Sequence, residues 1–280
     1  MSSLDINSLE QISAKLRGRI VEFAERTKTP HLGSCLSCVD ILTVLYFHHL
    51  NIPLGLPNYH ERDKFILSKG HAAPALFQVL ALKGFFSFDR LLSASHDGHD
   101  VFGEHPPAPK DLLGIEAATG SLGHGLPMGV GMAIAAKILD EARKIIILLG
   151  DGECNEGSNW EAAMQAQSMG LSNLTIVIDH NKWQATSRTS DTLSTISLAQ
   201  KWQSFGWDVT EINGNSIKDL VSAFSINPKN SPRAIIANTV KGKGVSFMED
   251  DNNWHYRTPT KIETDQAISE LGLSREKLFK

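Results

Sequence analysis

Residues 145–184 constrain the fold most, because they combine two apolar runs with polar residues at the end of each. Residues 145–149 are rich in β-branched side chains and bounded by glycine, which is typical of a strand buried on both faces of a parallel sheet. A helical segment follows, and a second apolar run covers residues 174–178. The pattern predicts a strand–helix–strand unit whose polar residues lie at the carboxyl ends of the strands, where open α/β sheets bind ligands.

The polar residues of this unit are the ligand types that hard cations prefer. Asp151 offers a charged oxygen, Asn181 an amide oxygen, and the turn after Asn181 a backbone carbonyl, which we assign to Trp183. Mg²⁺ usually completes an octahedral shell with phosphate oxygens and water instead of a full protein cage. The unit therefore suits a metal–diphosphate site, although Gly-Asp-Gly and Asn181 also occur in ordinary tight turns.

The rest of the chain continues the alternation of strands and helices. Predicted strands cover residues 64–68, 207–212 and 233–240, and predicted helices cover 8–26, 39–50, 71–83, 126–139, 197–205, 217–224 and 263–275. Because no linker or repeat interrupts them, we predict one domain over residues 1–280, with a core at 8–260 and a helical tail at 261–280. The expected fold class is α/β, with a single doubly wound, mostly parallel sheet and helices on both faces.

Composition and charge exclude several classes of function. A formal net charge of −4 and a pI near 6.3 give no electrostatic footprint for nucleic acid or for an anionic membrane. No apolar run approaches the roughly 18 residues of a membrane span, and the N-terminus lacks the charged and apolar regions of a signal peptide. We therefore expect a soluble, cytoplasmic protein that binds neither nucleic acid nor membrane.

The cysteines are too few for a disulfide framework. Cys35 and Cys38 form a C-x-x-C pair, but no second Cys or His pair stands at zinc spacing. The pair also opens an apolar helix, whereas a thioredoxin-like motif follows a strand. We expect buried, reduced thiols without a zinc or redox role. Whether Cys35 or Cys154 reaches a cleft is left open.

Several histidines stand in predicted loops or at helix starts beside glycine or proline. They are His31, His71, His105, His124 and His255. A lone histidine is more often a structural or surface residue, but the ends of parallel strands converge, so several such residues can share one cleft. Neutral imidazoles can shuttle protons and hydrogen-bond hydroxyl groups near pH 7, and a polyhydroxylated substrate requires such groups.

Residues 94–125 form a long glycine- and proline-rich segment, and such segments inside compact domains are usually functional. The glycines at its end precede a predicted helix, so backbone N–H groups can approach an anion at the helix start. The spacing Gly123-x-Gly125-x-x-x-Gly129 also occurs in dinucleotide loops. However, no clear strand precedes it and no suitably placed acidic residue follows it, which argues against NAD(P).

These motifs together resemble the transketolase family. Gly150-Asp151-Gly152 followed by Asn181 resembles the thiamine-diphosphate signature, and the longer strings at 150–162 and 179–184 are similar to transketolases. In that family the aspartate, the asparagine and the carbonyl two residues further on hold the divalent metal. The resemblance thus implies Asp151, Asn181 and Trp183 as metal ligands, with Mg²⁺ as the expected ion and Ca²⁺ or Mn²⁺ able to replace it.

The resemblance also implies roles for the histidines and for the glycine-rich loop. The implied catalytic residues are His31, His71, His105 and His255. The loop at 119–125 resembles the one that holds the diphosphate and thiazolium groups. The implied cofactor-binding set is His71, Gly120, Leu122, Gly152, Glu156, Asn181 and His255. Glu156 resembles a glutamate near a dimer interface, although a first-turn helix carboxylate would be equally natural there.

The resemblance covers residues 8–260 and implies half of an enzyme. Transketolases continue with a pyrimidine-binding domain, which carries the glutamate that activates the cofactor, and with a C-terminal domain. We therefore expect the N-terminal subunit of a split transketolase, in an α2β2 heterotetramer with a C-terminal subunit that supplies those domains. With thiamine diphosphate it would transfer a two-carbon ketol unit from a ketose phosphate to an aldose phosphate.

Two alternatives stay open. The first is a subunit of another thiamine-diphosphate enzyme, similar to deoxyxylulose-phosphate synthase or to a 2-oxoacid dehydrogenase component. The second is a non-catalytic scaffold that binds the cofactor, in which case the histidines would have no evident purpose.

Overall fold

The computed structural model describes residues 4–53, 62–94, 101–193, 197–226 and 230–279. Its central feature is a five-stranded sheet in which all the described strands run parallel. The strands are β1 Lys64–Leu67, β2 Ile145–Gly150, β3 Leu174–His180, β4 Asp208–Asn213 and β5 Arg233–Asn238, in the order β1-β2-β3-β5-β4. The prediction of an α/β fold with a mostly parallel sheet is confirmed.

Alternate residues of the strands contribute to two separate hydrophobic cores. In β2, Ile146 and Leu148 pack into one core, whereas Ile145, Ile147 and Leu149 pack into the other. All five side chains are buried. The continuous apolar run therefore reflects a strand that is covered on both faces, as expected for a parallel sheet.

Helices cover both faces of the sheet. They are α1 Ile6–Thr27, α2 Leu32–Ser37, α3 Val39–Val44, α4 Ala73–Leu82, α5 Phe88–Leu92, α6 Gly125–Ile138, α7 Gly157–Ser168, α8 Thr189–Leu193, α9 Leu198–Ser204, α10 Ile217–Phe224, α11 Lys261–Glu270 and α12 Arg275–Leu278. The first core contains residues of α1, α3, α4 and α10, and the second contains residues of α6, α7 and α9. Within the described ranges, none of these helices combines the length and the apolar content needed to cross a bilayer.

Several predicted boundaries are wrong. The sequence predicts a loop around His31, but α2 begins directly after this residue. The predicted helix over 39–50 ends at Val44 and continues as a π-helical turn, Leu45–His49. The terminal helix begins earlier than predicted, because Thr260 and Glu263 form a capping box. Residues 95–100 of the predicted irregular segment lie outside the described residues.

Two glycines of α6 differ in the space around them. A Cβ on Gly129 would lie 2.5 Å from Cδ1 of the buried Ile147, whereas a Cβ on Gly131 would meet no atom within 4 Å. We expect Gly129→Ala to overpack the contact with β2 and to lower the free energy of unfolding by about 1–2 kcal/mol. Gly131→Ala should raise it by about 0.5–1 kcal/mol, because alanine favours the helix. Urea unfolding of both variants checks this, and effects of equal size and sign would contradict the packing.

Candidate active site

The segments that follow β1, β2 and β3 border a cavity of about 600 Å³. Every residue that the sequence singled out for metal, cofactor or catalysis lines it. These residues are His31, His71, His105, Gly120, Leu122, Asp151, Gly152, Glu156, Asn181, Trp183 and His255. His124 is exposed instead, and its ring contacts the Leu122 carbonyl. The structure thus brings the predicted set together, while the role of each residue stays a prediction.

Asp151 follows β2, and its carboxylate is almost fully buried. Its Oδ1 accepts a hydrogen bond from the Gly152 N–H at 2.9 Å. Its Oδ2 accepts from the Lys182 N–H at 2.8 Å and from the Thr189 hydroxyl at 3.0 Å. A carboxylate has about four acceptor positions, so these described partners leave one position on Oδ1 for a cation. Burial raises the pKa of Asp151, which indicates that its negative charge is poorly compensated by the protein.

Asn181 and Trp183 lie in a tight turn after β3. The Asn181 side-chain oxygen accepts a hydrogen bond from the Trp183 N–H at 3.0 Å, and Lys182 between them has a left-handed φ of 69°. In the described part of the chain, no group of three or more His, Cys, Asp or Glu residues is arranged to hold a metal. A cation beside Asp151 would therefore be bound by one carboxylate and by neutral oxygens. That donor set fits Mg²⁺, which completes its shell with phosphate and water.

The glycine-rich loop before α6 packs closely against its neighbours. A Cβ on Gly125 would lie 2.2 Å from the Ser68 hydroxyl oxygen, and a Cβ on Gly120 would lie 2.9 Å from the His105 ring. Gly120 also has a φ of 149°, a conformation that L side chains rarely adopt. Glycine is therefore required for the backbone to come this close to the cavity.

Glu153, which the sequence did not single out, anchors this loop. Its Oε1 accepts hydrogen bonds from the Gly123 N–H at 3.0 Å and from the Ser68 hydroxyl. Its Oε2 accepts from the Gly150 N–H at 3.0 Å. Burial raises the pKa of Glu153, although these hydrogen bonds oppose the rise. The one available signal was its position directly after Gly-Asp-Gly.

Four histidines of the cavity form a group that we call the histidine cluster: His31, His71, His105 and His255. The ring centroid of His31 lies 4.7 Å from that of His255, 5.5 Å from that of His71 and 6.3 Å from that of His105. His31 has a left-handed φ of 66°, and its N–H donates to the His255 carbonyl at 2.7 Å. Such strain costs roughly 1–3 kcal/mol in a non-glycine residue and concentrates at functional sites.

Burial keeps three of these imidazoles neutral. It lowers the pKa of His31, lowers the pKa of His71 well below 6.5 and lowers the pKa of His255 to about 3. Lys241 adds to the effect on His255, because its ammonium nitrogen lies 3.0 Å from Nδ1 of that ring. When Lys241 donates this hydrogen bond, the proton of the neutral His255 ring resides on Nε2.

Two buried lysines near the cavity were also missed from the sequence. Lys69 forms an ion pair with Asp179 and donates to the Ser34 carbonyl at 3.0 Å. Although burial opposes its charge, the carboxylate of Asp179 raises the pKa of Lys69. Burial lowers the pKa of Lys241 to about 8, and its Nζ donates to Asn252 Oδ1 at 2.6 Å. Each lysine follows a strand and precedes a glycine, and this was the signal that the sequence offered.

The three cysteines are free and buried. Burial raises the pKa of Cys38 to about 12 and also raises the pKa of Cys35 and of Cys154. None of them is among the residues that line the cavity. Their thiols are therefore poor nucleophiles and poor metal ligands at neutral pH.

Comparison with known proteins relates this cavity to one family. The family model of the transketolase thiamine diphosphate binding domain matches residues 9–280. One of the two subunits of an apulose-4-phosphate transketolase from Phocaeicola vulgatus is 41% identical over 279 residues, which cover 99% of this chain and 98% of the relative. The protein of the same name from Actinobacillus succinogenes is 44% identical over 272 residues, which cover 96% of this chain and 98% of the relative.

Among solved structures, the transketolase of Campylobacter jejuni is similar in fold and sequence. The two superpose with a TM-score of 0.87 at 27% sequence identity. The match covers 97% of this chain and 44% of the solved one. This chain therefore spans less than half of the length of that transketolase.

The lowered pKa of His255 predicts how stability depends on pH. Because this pKa is about 3 in the folded state and about 6.5 in the unfolded chain, the unfolded state binds more protons between these two values. The free energy of unfolding should therefore fall as the pH drops below about 6.5, by up to about 1.4 kcal/mol per pH unit for this group. Above that pH the group adds no dependence.

His255→Asn should make this dependence less steep, since asparagine takes up no proton. Urea unfolding of the wild type and the variant between about pH 4.5 and pH 7.5 checks the prediction. Other titrating groups are common to both proteins and cancel in the comparison. Identical slopes in the two proteins would show that the His255 ring is not kept from protonation by the fold.

Proposed function

Because the chain belongs to the family of the transketolase thiamine diphosphate binding domain, we propose that it is the N-terminal subunit of a two-chain transketolase. It would take part in moving a two-carbon ketol unit from a ketose phosphate to an aldose phosphate. One observation carries the proposal: Asp151 and Asn181 line the same cavity as the histidine cluster. Groups suited to a metal and groups suited to sugar hydroxyls thus lie at one edge of the sheet.

The proposed cofactors are thiamine diphosphate and a divalent metal, with Mg²⁺ as the expected ion. When bound, thiamine diphosphate supplies the electron sink for breaking and forming the carbon–carbon bond. Asp151 Oδ1, the Asn181 side-chain oxygen and the Trp183 carbonyl would hold the metal. Ca²⁺ or Mn²⁺ would suit the same oxygen ligands.

The walls of the cavity fit an anionic group beside this metal. Gln184 lines the cavity, and its buried Nε2 has no partner among the described residues, which leaves an N–H donor for a ligand. A Cβ on Gly152 would lie 2.9 Å from the Gln184 side chain, so glycine is needed for the close approach of the two. The cofactor-binding set that we propose is His71, Gly120, Leu122, Gly152, Glu156, Asn181 and His255.

The histidine cluster would bind the hydroxyl groups of the sugar and move protons on them. Since burial keeps His31, His71 and His255 neutral, each of these rings has one donor and one acceptor nitrogen. Lys241 occupies Nδ1 of His255, so Nε2–H is left to donate to a substrate oxygen. The buried Nδ1 of His31 has no partner among the described residues and is left for a substrate hydroxyl. His105 completes the proposed catalytic set.

We further propose a partner, a C-terminal subunit with the pyrimidine-binding and C-terminal domains, in an α2β2 heterotetramer. Both relatives are named as subunits of a transketolase, which supports a partner. The outer sides of α6 and α7 support it as well, because Ile138, Met164 and Met169 are exposed there. Apolar side chains that are exposed on adjacent helices are typical of protein interfaces.

We propose that residues 1–280 form a single cofactor-binding domain of a cytoplasmic enzyme. The terminal helices support a single domain, since Leu278 is buried beside Gly18 of α1 and Arg275 pairs with Glu25 at 2.7 Å. Free, buried thiols are typical of proteins from a reducing compartment, which supports the cytoplasmic location.

Ketol transfer should require both subunits. We expect no transfer by this chain alone, and transfer when it is mixed with the product of the neighbouring reading frame, thiamine diphosphate and Mg²⁺. The assay uses aldose phosphate acceptors and a panel of ketose phosphates that includes apulose 4-phosphate, the sugar in the names of the two relatives. Asp151→Ala should lower kcat more than about a hundredfold, because the metal would lose its charged protein ligand.

Asp89→Ala is the control, because Asp89 is an exposed carboxylate of α5. It should keep the wild-type rate. Full activity of this chain alone would contradict the proposed division of the enzyme between two subunits. Turnover of pyruvate without ketol transfer would instead favour another thiamine-diphosphate enzyme, and cofactor binding without any turnover would favour a scaffold.

A further inference from the structure

Two side chains that the proposed chemistry does not use hold the side chain of Trp183. The Trp183 Nε1–H donates to Asp250 Oδ1 at 2.7 Å, and the Arg188 guanidinium lies 3.7 Å from the centre of the Trp183 ring. The same guanidinium donates to both carboxylate oxygens of Asp250, at 2.6 and 2.7 Å. Trp183, Arg188 and Asp250 thus form a closed set of three contacts, which we call the Trp183 triangle.

Two corners of the triangle belong to the loop that carries the proposed metal ligands. Trp183 and Arg188 are paired as an antiparallel β-bridge. Thr189, next to Arg188, donates its N–H to the Lys182 carbonyl at 3.0 Å and its hydroxyl to Asp151 Oδ2 at 3.0 Å. The position of Arg188 is therefore coupled to the backbone on both sides of the Trp183 carbonyl and to Asp151 itself.

The third corner belongs to the loop that carries His255. Asp250 has a left-handed φ of 57°, and its N–H donates to the Lys241 carbonyl at 2.8 Å. The Lys241 side chain in turn contacts Asn252 and the His255 ring. Asn252 Nδ2 also donates to the Ala185 carbonyl at 3.1 Å, which adds a second link between the two loops. Asp250 is thus anchored on the segment that places His255.

We infer that Arg188 and Asp250 are positioning residues, which hold the Trp183 carbonyl in place for the metal and fix the metal loop relative to His255. This inference rests on the proposed function, because it takes the Trp183 carbonyl as a metal ligand. An exposed ion pair alone contributes little, and the side chain of Asp250 is 55% exposed. The triangle differs because the bidentate pair, the shared indole N–H and the stacked ring together select one arrangement of the three side chains.

Mg²⁺ affinity tests the inference. Mg²⁺ is titrated by calorimetry into the metal-free two-chain assembly in the presence of saturating thiamine diphosphate. We expect Asp250→Asn to weaken Mg²⁺ binding about tenfold, since residues that orient metal ligands typically contribute about 10- to 100-fold. Asparagine tolerates the left-handed conformation and keeps one neutral oxygen, so the variant removes only the charge and the second acceptor. Arg188→Lys, which keeps the charge but loses the planar fork, should have a similar effect.

Arg275 and Asp265 provide a matched control on the terminal helices. Their side chains lie 2.6 Å apart and are 37% and 51% exposed, close to the 35% and 55% of Arg188 and Asp250. Asp265→Asn should leave the Mg²⁺ affinity unchanged. In Asp250→Asn, saturating Mg²⁺ should restore kcat to within about twofold of the wild type, because the bound metal then holds the carbonyl itself. Loss of kcat and of Tm without such rescue would indicate a merely structural role and would overturn the inference.

The remaining outcomes separate the inference from the proposed function. Equal Mg²⁺ affinities of the wild type, Asp250→Asn and Asp265→Asn would overturn the inference and leave the proposed function intact. Equal losses in the two aspartate variants would also overturn it, because the effect would then be independent of the triangle. A wild-type assembly that takes up neither thiamine diphosphate nor Mg²⁺ would overturn both.

Discussion

The buried ion pair between Lys69 and Asp179 is the interaction on which the arrangement of the site depends. Removing two charges from water is costly, and it is tolerated here because each charge has further hydrogen-bond partners. Lys69 donates to the Ser34 carbonyl, and Asp179 accepts from the hydroxyl groups of Ser37 and Thr239. The pair therefore ties the ends of β1 and β3 to α2 and to the segment after β5. Loss of either partner would leave an unpaired charge buried beside the cavity.

This pairing gives two neighbouring carboxylates different roles. The charge of Asp179 is balanced by Lys69, whereas Asp151 is hydrogen-bonded by two backbone N–H groups and a hydroxyl, none of them cationic. A negative charge thus remains on Asp151, where a divalent cation would be stabilised. Three rings of the histidine cluster are kept neutral by burial, so they can bind hydroxyl groups without competing for the same charge. A metal–diphosphate group and a sugar would each find the chemistry that suits them.

The features predictable from the sequence were those written in local patterns. The apolar runs of β2 and β3, the glycines after them and the family motifs predicted the sheet and the residues that line the cavity as a set. The order of the strands, the π-helical turn Leu45–His49 and the helix α2 depend on contacts between distant segments, which periodicity does not report. The same reason hid Glu153, whose partners include Gly123, thirty residues earlier. Arg188 and Asp250, which are 62 residues apart, carry no motif at all.

Anomalous diffraction from Mn²⁺, used in place of Mg²⁺ in crystals of the two-chain assembly with thiamine diphosphate, tests the central claim most directly. We predict one strong anomalous peak in the cavity, within about 2–2.5 Å of Asp151 Oδ1, the Asn181 side-chain oxygen and the Trp183 carbonyl. A peak at other residues, or a bound cofactor whose metal contacts none of these oxygens, would contradict the assignment of this cavity as a metal–diphosphate site.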